Sequence, residues 1–91
     1  MTKKIVFEIY HEVKNIIEQA YLEEEMLYKD AEYQKNIRII LYNIMDITCN
    51  KDLLVVSNLV NTIRNEYSKY SYGYKIFNSI LDVIFENSEN I

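Results

Sequence analysis

A chain of 91 residues, 49% of them hydrophobic and 26% charged, holds one domain's worth of sequence and too many apolar side chains for intrinsic disorder. Its formal charge is −4, and the 10 Lys and Arg residues are scattered rather than gathered, which excludes the basic stripe of a nucleic-acid binder. The acidity serves solubility or an acidic surface that meets a basic partner. No apolar run approaches the roughly 20 residues needed to cross a bilayer. Glu8, His11 and Glu12 interrupt the apolar stretch after Lys3 and Lys4, so no signal peptide is read there. A cytoplasmic location is expected, without direct membrane insertion. The lone Cys49 fits it, having no partner for an internal disulfide.

With no proline and a single glycine, the chain lacks the usual helix interrupters. Thr2 is a candidate N-cap. After it Ile5 or Val6, Ile9, Val13, Ile16, Ala20 and Leu27 recur at steps of three and four, the pattern of one helix face. This predicts a first helix over about 3–27, either running to Tyr28 or fraying near Ala20. Asp30 caps a second helix over 31–48, whose stripe is Tyr33, Ile37, Ile40, Ile44 and Ile47.

The third segment, about 53–72, carries Leu53, Val56, Val60, Ile63, Tyr67 and Tyr70 at the same steps. Gly73 is expected to stop it as a left-handed C′ residue. A fourth helix over 74–87 follows, with Phe77, Ile80 or Leu81, Ile84 and Phe85 inward, and "ENSENI" as a polar tail. Strict alternation is missing, which argues against strands. The expected fold is all-α, residues 1–91 forming one antiparallel four-helix bundle with shallow left-handed crossings.

The stretch "NEYSKYSYGYK" at 65–75 gathers Tyr67, Tyr70, Tyr72 and Tyr74 around the glycine. Tyr67 and Tyr70 continue the third stripe and are expected inward. Tyr72 and Tyr74 straddle Gly73 and cannot both follow it. The cluster is a packed corner, a partner-binding patch or a base-stacking surface. Tyrosine is enriched at interface hot spots, whereas stacking on bases comes with a cationic groove. Tyr70, Tyr72, Tyr74, Lys69 and Lys75 are therefore the candidate partner-binding residues. No nucleic acid is expected as a partner.

Other chemistry finds little support. His11 between Glu8 and Glu12 lacks the three or four convergent ligands of a zinc site, and Glu23, Glu24, Glu25, Asp30 and Glu32 lack calcium-loop spacing. No nucleophile has a base at a recognisable spacing, and no glycine-rich loop can cradle phosphate. Cys49 lies near a helix N-terminus, which lowers a thiol pKa, but far in sequence from His11. No catalytic residue, metal or cofactor is assigned.

"KKIVFEIYHEV" opening the first helix, "KDAEYQKNIRIIL" entering the second, "VVSNLVNTI" in the third and "FNSILDVI" in the fourth come in a family-like order. On these the chain resembles the immunity proteins against class IIa (pediocin-like) bacteriocins, especially the enterocin A immunity group. The resemblance implies a cytosolic four-helix bundle without enzymatic activity that protects the producer cell. It implies action with the membrane mannose phosphotransferase permease that carries bound bacteriocin. It also implies a specificity region in the C-terminal half, where "NEYSKYSYGYK" lies.

Two other classes stay open from the residues. One is a small acidic phage or mobile-element inhibitor presenting Glu23, Glu24, Glu25, Asp30 and Glu32 to a basic channel. The other is a homodimeric helical regulator whose stripes form an intermolecular seam. The expected state is monomer or weak dimer.

Overall fold

Helix α1 spans Lys3–Glu23 in the computed structural model, which describes residues 2–88. It starts where the Thr2 hydroxyl accepts from the Ile5 amide at 3.3 Å. Its buried positions Ile9, Val13, Ile17 and Ala20 form one stripe. At Glu24 the backbone becomes extended (φ −140°, ψ 90°) and a short 3-10 helix, Glu25–Lys29, turns the chain back. The first helix therefore ends between the two alternatives that its pattern left open. Leu27 still reaches the core, but from the 3-10 turn. Gln34 secures that turn, donating through Nε2 to the Tyr21 hydroxyl at 2.7 Å and the Leu27 carbonyl at 3.0 Å.

Helix α2, Ala31–Met45, begins at Asp30, whose carboxylate accepts from the Tyr33 amide at 2.9 Å. It buries Tyr33, Ile37, Ile40 and Ile44, and Ile47 joins them from beyond the helix end. Helix α3 covers Asn50–Asn65 and α4 covers Tyr72–Ser88. Asp52, at the third position of α3, accepts from both the Thr48 amide and the Thr48 hydroxyl at 2.9 Å. The bond reaches back across the connection, a variant of the capping box. Helix α2 ends three residues short of the expected 48, and α3 starts three residues ahead of the expected 53.

The four helices close into a ring: α1 packs on α2 and α4, and α3 packs on α2 and α4. Neighbours run antiparallel. Glu23 at the end of α1 meets Tyr72 at the start of α4, and Tyr67 just past α3 meets Asn36 near the start of α2. Tyr33 and Phe77, with ring centroids 5.7 Å apart, join the like ends of α2 and α4 across the core. No strand is present among the described residues, and no helix is long and apolar enough to cross a membrane.

The corner between α3 and α4 differs most from expectation. Helix α3 stops at Asn65, not at Tyr72. The Ser71 hydroxyl accepts from the Tyr74 amide at 3.1 Å, making Ser71 the N-cap of α4, and donates to the Ser68 carbonyl at 2.7 Å. Serine side chains compete for backbone groups in this way and break helices where they do so. Gly73 thus lies inside the first turn of α4, not at a left-handed C′ position, and no described residue has a positive φ. At the other end, α4 extends through Ser88 with Asn87 buried and donating to the Val83 carbonyl at 2.8 Å. The rest of the expected polar tail, 89–91, lies outside the described residues.

Candidate partner-binding surface at the tyrosine corner

The corner is built in layers. Tyr67 forms the innermost. Its ring lies 5.2 Å from Phe77 between centroids, and its hydroxyl accepts from Asn36 Nδ2 at 3.2 Å. Burial raises its pKa above the ordinary phenol value. The ring also covers Gly73: a Cβ on that residue would lie 2.7 Å from Tyr67 Cδ2 and 2.8 Å from Cε2. Glycine is needed here for close approach, not for a left-handed backbone.

Tyr72 and Tyr74 form the middle layer on opposite sides of α4. The Tyr72 hydroxyl donates to the Glu23 carboxylate on α1. That hydrogen bond favours the neutral phenol and pushes its pKa up to about 12. Lys75 Nζ stands 5.6 Å above the Tyr72 ring. Tyr74 faces α3 instead, with the Arg64 guanidinium 5.1 Å from its ring centre. Arg64 is held in turn by Asn78 Oδ1 at 2.7 Å and Asn61 Oδ1 at 2.6 Å.

Tyr70 is the outer layer. It is 98% exposed, so it does not continue the core stripe of the third helix, because that helix has already ended. Lys69 beside it is exposed as well.

The candidate residues therefore do not form one face. Tyr70 and Lys69 project from the turn, Tyr72 and Lys75 border α1, and Tyr74 borders α3. Glu23, Tyr72 and Lys75 wall a shallow groove of about 300 Å³ between α1 and α4. Sequence reasoning did not place Glu23 and Arg64 in this corner; it put Glu23 in the candidate acidic surface instead. Arg64 had a local cue in Asn61, three residues before it. Glu23 had none, since its partner is 49 residues away.

The acidic stretch is partly used within the fold. Glu23 holds Tyr72 and Asp30 caps α2, leaving Glu25 and Glu32 exposed. His11 packs edge-on against Phe7 at 4.5 Å. Among the described residues, no group of three or more His, Cys, Asp and Glu is placed to hold a metal ion. The arrangement offers aromatic area, cations and hydrogen-bond donors on an ordered turn, which suits binding of another macromolecule. Comparisons with protein-family models, curated proteins and solved structures find no match for this chain.

Proposed function

We propose that this chain is a non-catalytic bacteriocin immunity protein. In this reading it acts in the cytosol and engages the receptor permease with its bound pediocin-like bacteriocin. The resemblance of its four segments to the enterocin A immunity group motivates the reading. One observation supports the site: Tyr70 is almost fully exposed on a turn that Ser68 and Ser71 tie down. A large aromatic ring held in water contributes little to folding. It is the residue type that anchors protein interfaces with little loss of side-chain freedom. Lys69 adds a cation at its side, and Lys75 adds one at the α1 border. The binding surface is accordingly the exposed turn, with Tyr72 and Tyr74 fixing its shape.

The test is protection. The chain is expressed in a pediocin-sensitive Gram-positive host, and the cells are challenged with a panel of class IIa bacteriocins. Resistance to one or a few of them is expected. Unchanged sensitivity to all, with soluble folded protein present in the cells, would overturn the immunity reading.

A further inference from the structure

An apolar groove lies at the opposite end from the tyrosine corner. It runs between the start of α1 and the end of α2, with a volume of about 540 Å³, within the range of small-ligand sites. Val6, Phe7 and Tyr10 form one wall, Met45 and Ile47 the other. Among the described residues, Lys3 and Thr48 are the polar members of the lining and no carboxylate belongs to it. Lys3, Phe7 and Tyr10 follow one another on one face of α1, at i, i+4 and i+7. From Lys3 to Tyr10 that face is about 10 Å long at 1.5 Å per residue.

Three features narrow the class of ligand. The lining lacks the array of donors and acceptors that a nucleotide or sugar requires. The Thr48 amide and hydroxyl both donate to Asp52, so Lys3 is the cation that can meet a charged group. Among the described residues, no hydrogen bond or ion pair involves the Lys3 side chain. The Phe7 ring is exposed yet held by the His11 edge, so the apolar wall is formed before any ligand arrives. An elongated apolar trough with one cation at its rim is complementary to a linear chain ending in an anion.

We propose that this groove binds a free, monomeric fatty-acid anion, its alkyl chain lying along Phe7, Tyr10, Met45 and Ile47 and its carboxylate meeting Lys3. The site is separate from the tyrosine corner and does not rest on the immunity reading.

The experiment titrates the full chain with hexanoate, octanoate and octanol, each below its micelle concentration or solubility limit, by calorimetry and by amide NMR. Amide shifts are expected at Lys3–Tyr10 and Met45–Thr48, with the tyrosine corner unmoved. Octanoate should bind about tenfold tighter than hexanoate, the factor for two further buried methylenes. Lys3→Gln should weaken octanoate about two- to fivefold, the range of an exposed ion pair, and leave octanol unchanged. Met45→Asp, at an exposed position, should abolish binding of both while the helical circular dichroism stays the same.

Four outcomes overturn the proposal. They are absence of shifts below the micelle concentration, shifts spread over the whole bundle, equal affinity for the two acids, and equal weakening of acid and alcohol by Lys3→Gln. Binding to anionic phospholipid vesicles without binding of the monomeric acids also overturns it, since the surface would then take a membrane instead.

Discussion

Tyr67 lies against Gly73, so closely that one added methyl group would come within 2.7 Å of its ring. The atoms it would meet include those next to the ring's attachment point, and Asn36 and Phe77 hold that ring on its other sides. Gly73→Ala brings a helix-propensity gain of about 1 kcal/mol at most and an overpacking cost of about 1–3 kcal/mol. The net expectation is a loss of about 1 kcal/mol, or roughly 4–8 °C in Tm for a domain of this size. Replacing Tyr67 with Leu in the same chain should recover part of the loss, read as a non-additive double-mutant cycle in chemical denaturation. Additive losses would show that the two residues do not press on each other.

Two tyrosine hydroxyls, that of the part-buried Tyr67 and that of the buried Tyr33, should respond oppositely to removal. Tyr67→Phe leaves the Asn36 amide group, in a residue only 5% exposed, without its acceptor. The expected cost is about 1–2 kcal/mol. The Tyr33 hydroxyl is buried with no hydrogen-bond partner, and burial raises its pKa strongly. Tyr33→Phe should therefore be neutral or stabilising, by up to about 1 kcal/mol. Urea unfolding of the two variants checks both signs.

The polar latches give stability a pH dependence at both extremes. Tyr72 has its pKa raised from 10.0 to about 12 by Glu23. Its contribution is fully present below pH 10 and is lost as pH rises through about 12. Asp52 is the opposite case. The Thr48 amide, then the Thr48 hydroxyl, hold its pKa below the ordinary 3.8. Its contribution is present above that value and lost as pH falls through the lower folded one. Tyr72→Phe should remove the phenol that titrates near 12, seen by ultraviolet titration. Asp52→Asn should lower Tm at neutral pH, with the difference from the parent chain shrinking in acid. A constant Tm difference at every pH would mean that the Thr48 bonds do not depend on the carboxylate's charge.

On the proposed binding surface, exposure separates recognition from folding. Tyr70→Ala should change stability by no more than about 0.5 kcal/mol, as exposed substitutions do. It should nevertheless reduce protection in the challenge assay, and Lys69→Ala should act in the same direction. Tyr72→Ala and Tyr74→Ala remove the partners of Glu23 and Arg64, so their effects on protection mix shape with contact. Full protection by a soluble Tyr70→Ala variant would remove Tyr70 from the binding surface.

The bundle was legible because its core depends on spacing that the chain carries locally. Leu53, Val56, Val60 and Ile63 show the period of a helix face, and all four are buried. The same regularity misled at Tyr70, since a stripe does not reveal where the helix under it stops. Here the Ser71 hydroxyl donates to the Ser68 carbonyl and caps α4 through the Tyr74 amide, where the stripe would have continued α3. Gly73 was a clear signal with two physical meanings, positive φ or close approach, and only the position of Tyr67 decides between them. The Tyr72–Glu23 bond joins the two ends of the hydrogen-bonded corner across 49 residues, a distance over which no sequence pattern operates.

Because α1 packs on α4, the ring that encloses the core is closed by the first and last helices in the chain. This sets an order of assembly. The α3–α4 hairpin and the α1–α2 hairpin can each form from neighbouring segments, at the modest cost of closing a short loop. The seam between α1 and α4 has to wait until α4 is present. On a ribosome, Ile9 and Val13 would leave the exit tunnel long before the surfaces that enclose them. The shielding of α1 is thus a late event in folding, and the Tyr72–Glu23 bond marks its completion.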